Sequence, residues 1–339
     1  MRVVSLVCAG MAVASLAVAS GSLAARSAVS CAAWAAPTGD DAGAGTKEKP
    51  FRTVGRLLQV LSPGRTACLA SGATFPEHVV IGAQGTAAAP VVLTTPAGAP
   101  ATIGDGLELT QGARSVVISR VIVSMSGAEP ANSLPAVVII RGFQITLSRS
   151  QVSGGGITDK SRSCVLVDHA RRALIDRNLL HECAIVRNNP VVSGQGVHVS
   201  VSVAARLTNN TIWSTAGAGV ALSPNAQLTT VSRNVIDGTE SGIFFGGDAK
   251  TTSNDNRVEH NIVSYPRRFA VDGSNSTGGP VGKRNVVTEN CFWMAGQASL
   301  GGSGYAAPHN RTVDPRYVNR PATFALKPSS PCWSYRPLP

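Results

Sequence analysis

The side chains able to do acid–base chemistry are few and spaced in a suggestive way. Asp168 adjoins His169, His198 stands two residues before Ser200, and Asp248 stands two before Lys250. A β-elimination needs a base for the proton beside a carboxylate and a cation for the enolate that forms. His198, His169 or a desolvated Lys250 suits the base, with Asp168 beside them; Lys160, Arg162, Arg267 and Arg268 supply further cations. Hydrolysis of a glycosidic bond instead needs two carboxyl groups about 5 to 9.5 Å apart. Asp168, Asp248 and Asp272 are the acids to consider, and Ser200, Ser223 and Phe244 complete a candidate substrate-contacting set. Asp237, Glu240, Asp248 and Asp255 leave calcium open, although their spacing does not resemble an EF-hand loop.

What would align these residues is an internal repeat. Seven segments superimpose: SVVISRVIVS (115–124), QITLSRSQVS (144–153), ALIDRNLLHE (173–182), ARLTNNTIWS (205–214), TTVSRNVIDG (229–238), NRVEHNIVSY (256–265) and NVVTENCFWM (285–294). Their equivalent positions Val121, Ser150, Asn178, Asn210, Asn234, Asn261 and Asn290 recur every 24 to 32 residues. Each segment reads as two short strands meeting at a tight bend. The recurrent Asn, tolerant of left-handed backbone, should form a buried structural ladder there. A third strand precedes each pair, at 106–110, 136–140, 164–168, 196–200, 219–223, 242–246 and 269–273. Three strands per repeat with no room for a crossover helix specify an all-β parallel β-helix of about seven or more coils.

Alternation along the first strand of each coil turns Val165, Val167, Val197, Val199, Val220, Leu222, Ile243 and Phe245 inward. Asp168, His198, Ser200, Ser223 and Phe244 then face outward as a groove. The same alignment sets Asp272 in the column of Asp168, Ser200 and Ser223, four coils away and roughly 19 Å from Asp168. That is too far for a carboxyl pair, and Asp248 is the better second acid.

The chain opens with Arg2 and an apolar stretch that ends in small residues, which reads as a signal peptide over residues 1–25. Cys8 lies inside that stretch after Val7, which disfavours lipidation. No later run approaches the roughly 20 apolar residues that span a bilayer. One secreted domain, residues 26–339, is expected, with an opening and cap over 35–93, coils over 106–294 and a closing segment over 295–339. Residues 50–61 carry apolar positions at helical spacing, which predicts a capping helix. Six cysteines remain after the leader. They fall near the start, middle and end, which favours Cys31–Cys68, Cys164–Cys183 and Cys291–Cys332 among 15 pairings. The formal charge of +11 suits polyanions. Scattered arginines and 5% aromatic residues argue against nucleic acid. A monomer is expected.

Residues 35–93 carry Gly39-Asp40, Gly45-Thr46, Pro50-Phe51-Arg52-Thr53, Pro63-Gly64 and Gly72 to Phe75. Residues 289–293 read ENCFW, and residues 313–332 hold an Asp-Pro, a Phe-x-Leu and a Ser-Pro. These features resemble the opening and closing segments of secreted right-handed parallel β-helix proteins of the pectate-lyase-like superfamily. The resemblance implies a polysaccharide ligand and leaves lyase, hydrolase and non-catalytic surface roles open. The Asp-Pro-His-Asp of mannuronan epimerases and the tight aspartate set of calcium-dependent pectate lyases are absent from the sequence.

Overall fold

The computed structural model describes residues 29–125, 134–154, 162–183, 194–275 and 278–338; the leader and Lys160 lie outside them. The chain is an all-β solenoid. Its first strands are Leu107–Leu109, Ala136–Ser148, Ser163–Arg171, Val197–Ser200, Val220–Leu222, Ile243–Phe245 and Phe269–Gly273, each paired in parallel with the next. The expected strand pairs around the bend stack likewise, as in Arg206–Thr208 with Thr230–Ser232 and Thr211–Trp213 with Val235–Asp237. Parallel pairing also continues outside residues 106–294. Thr66–Leu69 and Val91–Thr94 stack toward Arg114–Ser119, while Ala298–Leu300 and Arg311–Thr312 add to the other end.

Two coils depart from the expected three separate strands. Ala136–Ser148 and Ser163–Arg171 run unbroken through the first corner. In the former the register shifts between Ile140 and Gly142. Gly142 has φ 100, and a side chain there would place its Cβ 2.4 Å from the Ala113 carbonyl oxygen. One glycine thus absorbs the bend without ending the strand.

The inward Val, Leu and Ile of successive coils form one continuous core that includes Val165, Val167, Val197, Val199 and Leu222. Each fully buried side chain of this kind contributes about 1.5–3 kcal/mol. Gly196, Gly219 and Gly242 stack where the first strand approaches the third. Cβ atoms there would come within 2.3 Å of Ile212, 2.2 Å of Ile236 and 2.3 Å of Val263, respectively.

The Asn ladder is present and buried. The Asn178 side-chain oxygen accepts from Ser150 N–H, Asn210 from Asn178, Asn234 from Asn210, Asn261 from Asn234, and Asn290 from Asn261, at 2.8 to 3.0 Å. Asn310 adds a rung, accepting from Asn290 N–H at 3.0 Å. The left-handed residue is not the Asn, however. It is the preceding residue, Arg177, Asn209, Arg233, His260, Glu289 or His309, with φ between 54 and 58. The bend therefore turns the Asn carboxamide onto buried backbone groups and leaves its predecessor pointing out. A shorter second ladder joins Thr229, Asn256 and Asn285.

A helix occupies only Val54–Gln59 of the stretch read as helical. Thr53 Oγ accepts from Arg56 N–H, and the Glu77 carboxylate accepts from Val54 and Gly55 N–H. Val54 and Leu57 are buried in the core. Asp41 accepts from the N–H groups of Arg52 and Thr53 and from the Thr53 hydroxyl, so its role is to fasten the opening turn to this helix. Although burial opposes it, these bonds hold the Asp41 carboxyl below its ordinary range. Disulfides join Cys31 to Cys68, Cys164 to Cys183, and Cys291 to Cys332. Among the described residues no helix is long and apolar enough to cross a membrane.

Candidate functional site

The outer face of the first strands is fixed by register. Leu166, His198, Ala221, Phe244 and Asp272 occupy one outward row, since each pairs with the next. Asp168 pairs with Ser200 in the adjacent row. Asp272 therefore belongs to the His198 row, one outward position away from the Asp168 row expected for it. Further along, Gly246 sits against Ser223 and Phe244: a Cβ there would lie 2.5 Å from Ser223 Oγ and 2.7 Å from the Phe244 ring. Ser223 and Phe244 are thus neighbours on the outer face of the first strands.

An ionic track crosses four coils at one end of this face. Asp168 contacts His169 Nδ1 at 2.7 Å and Arg141 Nε at 3.3 Å. Arg141 Nη1 reaches Glu108 at 2.5 Å, and Glu108 lies 3.9 Å from His78 Nε2. His169 is more than half exposed and takes φ 51 at the corner through which its strand continues. His198 is half-buried beside this track. Its Nε2 lies 2.5 Å from the Ser223 carbonyl oxygen, which only accepts, so Nε2 carries the proton and Nδ1 keeps its lone pair. Burial pushes its pKa below the ordinary histidine value, partly offset by the Ser223 carbonyl and the charge of Asp168. The imidazole is consequently neutral at neutral pH and able to accept a proton.

Residues 104–312 match the family described as the right handed beta helix region. The chain belongs to this family. An alginate lyase from Paenibacillus sp. str. FPU-7 is similar at 17% identity and a TM-score of 0.59, over 76% of this chain and 91% of that one. Pectate lyase Pel9A is similar at 10% identity and a TM-score of 0.61, over 88% and 90%. A GH136 lacto-N-biosidase from Eubacterium ramulus gives 13% and 0.56, over 82% and 67%. At these identities the likeness is one of fold. No curated protein matches the chain.

The remaining candidates of this β-helix are not all gathered in the groove. Arg162 is buried, its Nε bonded to the Leu134 carbonyl at 3.2 Å. Arg267 donates to the carbonyls of Thr215, Ala216 and Gly238, which ties adjacent loops together. Both guanidiniums are thus occupied by backbone, where the sequence reading had them available to an anionic sugar. Arg268 lies 3.9 Å from Asp272 and 3.7 Å from Glu240. Asp272 is itself 5% exposed. Asp248 Oδ1 accepts from Lys250 and Thr251 N–H, and these bonds hold its carboxyl below the ordinary range. That is a turn-closing carboxylate. Lys250 is exposed on the same turn.

The four acids considered for calcium have separate partners. Asp237 meets Arg320 and Ser264, Glu240 meets Arg268, Asp255 meets Arg284, and Asp248 closes its own turn. Among the described residues no three His, Cys, Asp or Glu side chains are grouped to hold a metal ion. Glu108, Arg141 and His78 went unread in the sequence. Glu108 was nonetheless signalled, because it is the outward residue of the 106–110 strand by the same alternation that selected His198.

Proposed function

We propose that this β-helix is an exported protein that binds an acidic polysaccharide along its first-strand face and cleaves it by β-elimination, with His198 as base. The observation that carries the reading is a neutral, half-buried imidazole, oriented by the Ser223 carbonyl, beside the Glu108–Arg141–Asp168 track. His198 Nδ1 would take the C5 proton of a uronate. The C5–H electron pair then forms the C4=C5 double bond, and the C4–O bond breaks to release the next sugar, whose oxygen is protonated from solvent. Arg141 holds Asp168, whose charge acts on that base, and Lys250 is exposed at the exit of a nearby strand to meet the polymer's charge. The formal charge of +11 favours a polyanion. Export is supported by the apolar leader and the three disulfides.

One observation favours a second reading, glycoside hydrolysis. Glu108 and Asp168 contact the same guanidinium, which keeps two carboxylates close, as the roughly 5–9.5 Å pair of a glycosidase requires. A screen against pectate, alginate, hyaluronan and chondroitin, with and without calcium, separates the readings. Ultraviolet-absorbing unsaturated uronate, lost in His198→Ala, is the expected result. New reducing ends without that absorbance would mean hydrolysis. Binding with no new ends would make the protein a non-catalytic carbohydrate-binding β-helix, and no binding would overturn the polysaccharide reading altogether.

A further inference from the structure

A second recess, of about 330 Å³, opens on a different edge of the coil, at the bend between the second and third strands. Three of its walls are consecutive rungs. Ser232 pairs with Glu259 in the stacked second strands, so the residues that follow them, Arg233 and His260, lie one above the other, with Glu289 on the next coil. His309 precedes the last ladder residue, Asn310. All four have left-handed backbone, which is what turns their side chains outward while the Asn behind each is buried. Arg311, opposite Cys291 in the third-strand ladder, adds a second guanidinium. Ser334 and Tyr335 close the far side.

This side is rigid. The disulfide from Cys332 to Cys291 anchors the closing segment two residues before Ser334, and Tyr335 is buried against the core beneath. The Arg233 guanidinium is held by the Ser334 carbonyl at 2.7 Å. His260 Nε2 meets Glu289 at 2.9 Å, and its ring lies 5.8 Å from that of Tyr335. Arg311 has no side-chain acceptor among the described residues. Two guanidiniums and two imidazoles thus face one recess that contains a single carboxylate, already engaged by one imidazole.

We propose that this recess binds an oxyanion, either the carboxylate of a uronic acid or a sulfate or phosphate group. Fixed N–H donors on a rigid wall suit such a group better than a flat basic surface does. The site is separate from the groove and does not depend on the reading of His198. Calorimetry on the full chain at constant ionic strength, with sodium chloride as reference, would use glucuronate, inorganic sulfate and inorganic phosphate as probes. Saturable binding of at least one, weakened tenfold or more in Arg311→Gln and unchanged in His198→Ala, is expected. Which probe binds identifies the source. Arg311 is exposed, so the variant should fold, and the Nε2 and Cε1 resonances of His260 give a second readout that shifts on saturation. No saturable binding above chloride, or equal affinity in Arg311→Gln with His260 unmoved, overturns the site.

Discussion

His198 Nε2 donates to the Ser223 carbonyl oxygen on the adjacent coil across 2.5 Å. Because burial is the largest influence on this imidazole, its pKa in the folded protein is below the ordinary value of 6.5. The unfolded chain therefore takes up the proton first as pH falls. Stability should drop on acidification below about 6.5 and stop dropping, for this group, once the folded-state pKa is passed. Titration of the His198 ring by NMR should give a midpoint below 6.5, and the pH dependence of melting should be shallower in His198→Gln. A midpoint at or above 6.5 would contradict the buried, neutral imidazole.

Arg141→Gln tests the track beside it. The substitution removes the cation between Glu108 and Asp168 and leaves two carboxylates on the outer face. The side chains are partly exposed, so each pair is worth only about 0.2–1 kcal/mol. Melting should change little, while affinity for a polyuronate falls tenfold or more, because like charge now faces the polymer. Unchanged affinity would remove Arg141 from the binding face.

The repeat can be read from sequence because solenoid coils reuse one local pattern, and the Asn spacing shows it without any knowledge of contacts. The disulfides follow, since a solenoid brings together only residues of the same or neighbouring coils. What escapes is whatever depends on exact register. Asp272 changes row because the coils differ in length. Arg141 meets Asp168 only through the shift after Ile140. Arg162 and Arg267 look like free cations until loop carbonyls are placed around them. The position of the left-handed residue escapes for another reason: Arg233, His260 and Glu289 have no glycine-like signature, and their conformation is imposed by the buried Asn that follows each.

Two glycines should respond to alanine with opposite signs. At Gly242 a Cβ would approach Val263 Cγ1 to 2.3 Å and the Ala270 carbonyl to 2.5 Å, in a core with no slack. Gly242→Ala should cost about 1–3 kcal/mol or more. At Gly55, inside the Val54–Gln59 helix, the nearest atom would be 3.6 Å away. Gly55→Ala should stabilise by up to about 0.5–1 kcal/mol. Denaturant melts of both variants check the pair. A neutral Gly242→Ala would mean that the first strand does not pack so closely on the third.

Asn234 is the rung whose loss should separate frame from groove. Its side-chain oxygen accepts from both the backbone and side-chain nitrogens of Asn210 at 2.9 Å. Its amide donates to the Leu207 carbonyl and to the Asn261 side-chain oxygen, also at 2.9 Å. Asn234→Ala leaves those partners buried and unpaired, at about 1–3 kcal/mol for a group that water cannot reach. Asn234→Asp keeps the acceptor for Asn210 but turns an ionised oxygen toward the Leu207 carbonyl and the Asn261 oxygen. It should cost more at neutral pH and recover as the carboxyl is protonated. The outer face of the first strands lies elsewhere on the coil, so polysaccharide affinity of the folded fraction should be unchanged in both. Thermal melts across pH, paired with binding at a temperature where each variant is folded, test this. Loss of binding in Asn234→Ala at unchanged stability would show that the ladder, and not the His198 face, carries the ligand.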